Sequence, residues 1–144
     1  MKIFLDSSFI IALVNDNDSL HEEALDYLEL TETNECFISN LIINEVITVI
    51  GNKLGLKIAI STFNLLVSVF NIVNEYDNSN FNSSNMLIYE KYDTKLSYTD
   101  SSIIYIMKEE GINNLISFDK EFKRVEGINF RPPAARPPAP RRRP

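Results

Sequence analysis

The chain has 144 residues, of which 44% are hydrophobic, and a formal net charge of −6 at pH 7. This length supports one compact domain with its own core and leaves little room for a second. A chain with this negative charge has no general positive field to attract a phosphate backbone. Nucleic-acid binding would therefore need a local basic patch or a bridging cation.

The single cysteine and the short apolar runs favour a cytoplasmic protein. Cys36 has no second cysteine with which to form a disulfide inside the chain. The N-terminus reaches Asp6 after three consecutive apolar residues, which does not fit a signal peptide. Stretches such as residues 65–70 are far too short to cross a bilayer. No membrane partner is therefore expected.

The first part of the chain predicts two buried strands separated by helices. Residues 3–5 form a continuous apolar run, as expected of a strand covered on both faces in a parallel sheet. A short helix follows and ends at the polar segment 15–18. Residues 19–22 (SLHE) match a capping box and predict the start of a second helix. Residues 36–38 predict the second strand.

Residues 39–70 predict two helices in a hairpin. Ser39 and Asn40 are candidate caps for a helix through Leu54, and apolar residues recur at helical spacing over residues 57–70. This hairpin carries more apolar surface than one covering layer needs. The excess indicates either a contact with another chain or additional core, and the sequence leaves both interpretations open.

Helices and short strands alternate through the rest of the body. The predicted elements are a strand at 72–73, Asn- and Ser-rich turns at 78–85, a helix from Met86, a helix opened by Thr99 and Asp100 and ended by Gly111, a strand at 115–116 leading to Asp119, and an edge strand at 128–130. Right-handed crossovers place the helices on both faces of a mainly parallel sheet. We therefore predict a three-layer α/β/α domain with about four to five strands over residues 1–130.

Residues 131–144 differ from the body in composition. They hold all six prolines and five arginines, and without them residues 1–130 have nine basic and twenty acidic residues, a net of −11. Such a segment cannot bury apolar surface and is predicted to be a flexible tail. Its Pro, Ala and Arg codons would be GC-rich, unlike those of the Asn-, Ile- and Lys-rich body. We interpret it as a vector-derived extension, with a native RNA-binding arm as the alternative.

Four acidic residues follow or open apolar segments, namely Asp6, Glu45, Asp100 and Asp119. Open parallel sheets bind ligands beyond the carboxyl ends of their strands, where Asp6 and Asp119 are expected. Carboxylates crowded into one pocket need protons or a divalent cation, and hard oxygen ligands suit Mg²⁺ or Mn²⁺ rather than zinc. Each acid alone also fits a turn, a helix cap or a solvated face. The metal prediction therefore depends on their coincidence.

Four segments resemble the acidic motifs of the PIN-domain ribonucleases. They are residues 3–8 (IFLDSS), 43–46 (INEV), 96–103 (LSYTDSSI) and 115–122 (LISFDKEF). Their order and spacing are similar to that family's across residues 1–130, and the chain looks most like the VapC-type toxins of VapBC toxin-antitoxin pairs. The resemblance implies a PIN-like fold, metal-dependent cleavage of an RNA substrate, a homodimer, and inhibition by a cognate antitoxin protein.

The same resemblance implies roles for individual residues. Asp6 and Asp100 would be the principal ligands of Mg²⁺ or Mn²⁺, and Glu45 and Asp119 would complete the acidic cluster directly or through water. The supporting hydroxyls would come from Ser7 and Ser102. A cation bound in this way lowers the pKa of its water and stabilises charge on a scissile phosphate.

Other candidate residues carry weaker signals. Lys120, Lys123 and Arg124 follow the last acidic motif and are candidate contacts to RNA phosphates, with a solvated helix face as the alternative. Tyr98 fits either base stacking or core packing. His21 is interpreted as a surface or packing residue rather than a general base.

Two other functions remain open. A phosphatase that forms an aspartyl-phosphate belongs to a different enzyme class, and haloacid-dehalogenase-type enzymes place a second aspartate two residues after the first. This chain has Ser8 at that position, so the acid catalyst is missing. A catalytically inactive PIN-like scaffold that binds RNA or protein is the non-enzymatic alternative. The complete set of acidic positions favours the ribonuclease.

Overall fold

An entirely parallel sheet of five strands forms the centre of the computed structural model, which describes residues 1–130. The strands are β1 (Lys2–Leu5), β2 (Glu35–Ser39), β3 (Asn71–Val73), β4 (Asn114–Ile116) and β5 (Asn129–Phe130). Their spatial order is β3-β2-β1-β4-β5. The predicted α/β class and strand number are confirmed, and the sheet is wholly rather than mainly parallel.

Helices cover both faces of this sheet. The α-helices in the described part of the chain are α1 (Ser7–Val14), α2 (His21–Leu25), α3 (Leu28–Thr33), α4 (Asn40–Leu54), α5 (Leu56–Val69), α6 (Phe81–Lys91) and α7 (Tyr98–Glu110). α1 packs against α2 and α4, and α4 packs against α5, whereas α6 packs against α7. Right-handed crossovers place α6 and α7 on the opposite face. The predicted three layers are confirmed, and the proposed tail at 131–144 lies outside the described residues.

The central strand is buried because its apolar run faces a helical layer on each side. Ile3, Phe4 and Leu5 have no exposed surface. Phe4 pairs with Phe37 of β2 and with Leu115 of β4. A strand covered on both faces reads as a continuous apolar run rather than an alternating one, which explains why the sequence identified it.

The order of the strands changes direction at β1. The chain passes from β1 to β2 and β3 on one side and then returns to β4 and β5 on the other. In open α/β sheets this reversal opens a crevice beyond the carboxyl ends of the two strands involved. Leu5 of β1 lies beside Ile116 of β4, so residues that follow both strands share that crevice.

α2 and α6 begin elsewhere than the sequence patterns predicted. α2 begins at His21 without a side-chain cap, so the capping box predicted at Ser19 does not form. The carboxylate of Asp18 instead accepts the Leu20 amide at 2.9 Å. α6 begins at Phe81 rather than Met86. The Phe81 ring is 1% exposed, and its burial extends the helix into residues that favour turns.

No helix within residues 1–130 has the length and apolar character that a membrane crossing requires.

Candidate active site

Asp6 lies where β1 gives way to α1, at the switch point of the sheet. Its backbone amide donates to the Ile116 carbonyl at 3.0 Å, which continues the pairing with β4 one residue past the strand. Its side chain caps α1 and accepts the Ser7 amide at 2.8 Å. Only 3% of Asp6 is exposed. The carboxylate is therefore held in a buried position at the crevice.

Two serines from distant parts of the chain hold the second carboxylate oxygen of Asp6. Ser8 Oγ donates to Asp6 Oδ2 at 2.9 Å, and Ser117 Oγ donates to the same atom at 2.6 Å. Ser117 Oγ also accepts the Asp119 amide at 3.0 Å. Ser8 Oγ accepts the Phe118 amide at 3.0 Å. These bonds tie the end of β1 to the loop after β4.

Neither serine was selected by the sequence reasoning, although both stand in the acidic motifs. The sequence marks Ser8 only as the position where a haloacid-dehalogenase-type phosphatase would have its second aspartate. Ser117 directly follows β4 and is fully buried. A small hydroxyl residue between a buried strand and an acidic residue was the available signal, because a buried hydroxyl must find a partner.

Asp119 begins a short 3-10 helix over Lys120–Arg124 and caps it. Its Oδ1 accepts the Glu121 amide at 3.0 Å. The strand predicted at residues 115–116 is confirmed, but β4 ends at Ile116 and not at Asp119. Asp119 therefore reaches the crevice from a capped loop rather than from the strand itself.

Asp100 occupies the third position of α7, and Ser97 caps that helix. Ser97 Oγ accepts the Asp100 amide at 3.0 Å, and Asp100 Oδ2 accepts the Ser97 amide at 3.2 Å. This reciprocal pair is a capping box. The predicted helix start at Thr99 and Asp100 was therefore wrong by a short distance. The box fixes the Asp100 carboxylate in the first turn.

Glu45 reaches the crevice from the second turn of α4. Its side chain is partly exposed, and the nearby Ser7 hydroxyl acts to lower its pKa. Ser7 Oγ also lies 3.4 Å from Asp6 Oδ1. Ser7, one of the predicted supporting hydroxyls, therefore lies near both Glu45 and Asp6.

The charges of the four acids act on one another. Burial raises the pKa of Asp6, with hydrogen bonds from serines opposing the rise and the Asp119 charge adding to it. Burial, followed by the charge of Asp6 and then that of Asp119, raises the pKa of Asp100 to about 7. Partial burial and then the Asp6 charge raise the pKa of Glu45. The fold has therefore brought the four predicted residues into one electrostatic cluster.

The donor set of this cluster fits a hard divalent cation. Within residues 1–130, no three His, Cys, Asp or Glu side chains lie in positions that would hold a metal ion by themselves. Mg²⁺ is commonly bound through one or two carboxylates while waters complete its coordination. Asp6, Asp100, Asp119 and Glu45 supply only carboxylate oxygens of this kind, and their assignment as ligands stays a prediction.

A family model of the PIN domain matches residues 3–128. The chain belongs to the PIN domain family. The match includes the residues that form the acidic cluster, and it confirms the family that the four motifs predicted. No curated protein sequence matches closely enough to add a relative.

Solved VapC and VapBC structures share the fold of this PIN domain. Mycobacterium tuberculosis VapC20, described as a sarcin-ricin loop cleaving toxin, aligns with a TM-score of 0.78 and 23% identity over 90% of this chain and 99% of its own. VapBC2 from Rickettsia felis, bound to a promoter DNA fragment, aligns with a TM-score of 0.67 and 15% identity over 90% of this chain and 97% of its own. DNA-bound VapBC from Salmonella typhimurium aligns with a TM-score of 0.66 and 15% identity over 90% of this chain and 96% of its own.

The basic residues that follow the last motif differ in their availability. Lys120 and Lys123 are exposed on the short 3-10 helix of this PIN domain. Arg124 is also exposed, but its Nε donates to a carboxylate oxygen of Glu121. The two lysines are therefore better placed than Arg124 to meet a phosphate, and RNA contact by all three stays a prediction.

Ser102 and His21 are both occupied by local contacts. Ser102 is fully buried, and its hydroxyl donates to the Thr99 carbonyl within α7. Its predicted role as a supporting hydroxyl stays a prediction. The His21 ring places Nδ1 2.7 Å from the Ala12 carbonyl. That contact supports the packing role predicted for His21.

The PIN domain should lose stability as pH rises when divalent cations are removed by a chelator. A raised native pKa means that the folded state holds a proton that the unfolded state has released. The contribution of Asp100 is therefore complete below about pH 4 and is lost as pH rises through about 7. At pH 7.5, Asp100→Asn should stabilise the protein because it removes a charge that burial and the Asp6 charge disfavour. The gain should be about 1 kcal/mol, since solvent screens this partly exposed carboxylate and reduces the effect.

Urea midpoints between pH 5 and 8 in chelator would measure this slope. Asp93→Asn is the matched control, since Asp93 is exposed and Asn tolerates its positive φ of 48° equally well. Equal slopes for wild type, Asp100→Asn and Asp93→Asn would contradict the predicted linkage.

Proposed function

We propose that this PIN domain is a divalent-metal-dependent ribonuclease that hydrolyses RNA phosphodiester bonds, and that it is the toxin of a type II toxin-antitoxin pair in the cytoplasm. The observation that carries the proposal is the buried Asp6 carboxylate at the switch point, whose charge adds to the effect of burial in raising the pKa of Glu45 and Asp100. Carboxylates assembled against their mutual repulsion are typical of functional sites.

The four carboxylates are proposed to share the work of holding Mg²⁺ or Mn²⁺. Asp6 and Asp100 are the principal ligands, and Glu45 and Asp119 complete the cluster directly or through water. The bound cation would supply a water of lowered pKa and neutralise charge that builds on the scissile phosphate. No carboxylate needs to attack phosphorus, which separates this chemistry from that of an aspartyl-phosphate phosphatase.

Hydrogen bonds give the carboxylates a fixed orientation before substrate arrives. Ser8 and Ser117 hold Oδ2 of Asp6, and the Ser97 capping box holds Oδ2 of Asp100. Preorganised ligands avoid the loss of rate that follows when a reacting group is displaced by even about 1 Å.

RNA would have to approach a body that carries a net charge of −11 over residues 1–130. Lys120 and Lys123 extend from the helix that Asp119 caps, and they are proposed to contact phosphates beside the scissile bond. Such contacts position the backbone without reading sequence. The bound cation would add the remaining positive charge at the crevice.

Purified protein should cleave RNA with Mg²⁺ or Mn²⁺ and stop when a chelator is added. The first substrate is a hairpin with the sarcin-ricin loop sequence, because VapC20 is described as cleaving that loop. A DNA hairpin of the same sequence is the substrate control, and a mock purification tests for contaminating nuclease. We expect at least a 100-fold loss of rate in chelator and recovery when Mg²⁺ is restored.

Folded protein that cleaves no RNA under any of these conditions would exclude the ribonuclease and leave the inactive scaffold. A screen of structured and single-stranded RNAs should precede that conclusion, since the target sequence is undefined.

Partner chains are proposed to cover the exposed face of α5. Leu56, Ile60, Phe63 and Val67 recur at helical spacing and are all exposed. Residues 46–74 contain no acidic residue, although the body is strongly acidic. Two copies would therefore repel least when they meet here. We propose that α5 forms the contact of a homodimer, and that a cognate antitoxin is the second partner, as in the VapBC complexes of the related structures.

Phe63→Glu should convert a dimer to a monomer, because it places a charge in the centre of the apolar row. Ser61→Glu is the matched control on the polar side of α5, where a charge remains in water. Light scattering coupled to gel filtration should show an increase of at least 100-fold in the dimer dissociation constant for Phe63→Glu alone. A monomeric wild type at high concentration would contradict the α5 homodimer.

A further inference from the structure

Asn85 is a buried polar residue that the proposed chemistry does not use. It lies in α6, within the segment that the sequence assigned to turns, and it has no exposed surface. Its Nδ2 donates to the Tyr98 carbonyl at 2.9 Å. A carbonyl can only accept, so this contact fixes which side of the amide is nitrogen. Oδ1 is then buried, and it has no hydrogen-bond partner within residues 1–130.

An unpartnered buried acceptor lowers stability, so packing alone does not explain an asparagine here. A leucine has the same branching and would remove the unpartnered oxygen. What only asparagine supplies at this position is the donor to the Tyr98 carbonyl. The hydrogen bond from Asn85 to the Tyr98 carbonyl is therefore the feature that needs a functional explanation.

Other residues on the same face of α6 also hold Tyr98. The Tyr98 hydroxyl donates to Asn82 Oδ1 at 2.8 Å, and its ring packs edge-on against Tyr89 with centroids 6.2 Å apart. Asn82, Asn85 and Tyr89 are spaced by three and four residues, so they form one face of α6. Three residues of this face therefore contact Tyr98 of the neighbouring helix.

Tyr98 is the first residue of α7, and Asp100 lies in the same turn. The capping box with Ser97 fixes Asp100 relative to that turn, but it does not fix the turn relative to the sheet. The contacts from α6 add to the constraint that the fully buried Ser101 and Ser102 place on the turn. Without them, the first turn would open more often, which breaks its bonds to Ser97 and lets the Asp100 carboxylate move.

We propose that Asn85 is a positioning residue that acts through the first turn of α7 to place the Asp100 carboxylate against Asp6. This role depends on the proposed function, since it gives Asn85 a part in the same metal site. It also makes a claim about the turn alone, which can be measured without RNA or metal.

The test compares Asn85→Leu with Asn52→Leu, which makes the same replacement at an exposed position of α4. Hydrogen exchange in metal-free protein reports on the turn, because the Asp100 and Ser101 amides are bonded to Ser97. We expect their exchange to become at least 10-fold faster in Asn85→Leu, while global stability stays equal to wild type or rises. Unchanged exchange at these amides would overturn the inference, whatever the cleavage data show.

Cleavage kinetics then separate positioning from direct RNA contact. In Asn85→Leu we expect kcat to fall about 10-fold and the Mg²⁺ concentration for half-maximal rate to rise by a similar factor, with KM for RNA unchanged. A higher KM with an unchanged Mg²⁺ requirement would instead mean that the Tyr98 region binds RNA, and would overturn the inference. Wild-type protein that cleaves nothing would contradict the proposed function, and the exchange measurement would still decide whether Asn85 holds the turn. If Asn85→Leu does not fold, Asn85→Ala replaces it in both measurements.

Discussion

Asp6→Asn is expected to reduce RNA cleavage by on the order of 10³-fold while leaving the fold intact. Asparagine has the same shape and keeps one oxygen to accept the Ser7 amide. The hydroxyls of Ser8 and Ser117 can turn to accept from the new amide nitrogen. What is lost is the negative charge at the switch point, and with it the proposed principal ligand of the cation. Single-turnover cleavage of a labelled RNA measures the effect.

The same substitution should stabilise the metal-free protein, because it removes a buried charge that Asp100 and Glu45 both experience. A fall in activity combined with a rise in melting temperature separates a functional carboxylate from a structural one. Asp100→Asn should behave alike, whereas Asp93→Asn, at an exposed turn, should change neither property. Wild-type rates in both Asp6→Asn and Asp100→Asn would remove the metal site from the mechanism.

The acidic positions could be predicted because each is tied to a local pattern that survives folding. The apolar run at residues 3–5 predicts a buried strand, and a strand in a parallel sheet has only one end at which Asp6 can lie. The same logic carried Asp119, although its strand ends at Ile116. For these two acids, it was enough to predict at which end of the sheet they lie. The exact conformation of the loop between β4 and Asp119 was not needed.

The contacts that orient the carboxylates could not be predicted. Ser117 and Asp6 are 111 positions apart, and nothing in either motif says which hydroxyl meets which oxygen. The start of α7 was predicted wrongly for a related reason. Ser97, Thr99 and Asp100 are all acceptable caps in isolation, and only the reciprocal bonds of the folded turn select Ser97. Local propensity leaves such choices nearly equal in energy, and tertiary contacts decide between them.

Ser117→Ala is expected to reduce cleavage by about 10- to 100-fold, and to destabilise the protein by about 1–2 kcal/mol because it leaves the partly buried Asp119 amide without its acceptor. Ser117 Oγ donates to Asp6 Oδ2 at 2.6 Å and accepts the Asp119 amide at 3.0 Å. Its loss therefore removes one bond to the Asp6 carboxylate and one to the backbone of Asp119. Ser8 still donates to Asp6, so the effect should be smaller than that of losing the Asp6 charge itself.

Ser117→Thr distinguishes loss of the hydroxyl from loss of packing. Threonine keeps the Oγ that bonds Asp6 and Asp119, so its cleavage rate should lie within about 5-fold of wild type even if the added methyl lowers stability. Ser83→Ala is the matched control, since that hydroxyl donates only to the Asn80 carbonyl on the surface of α6. If alanine and threonine at position 117 were equally active, the hydroxyl would have no part in orienting Asp6, and its contacts would serve only to join β1 to the loop after β4.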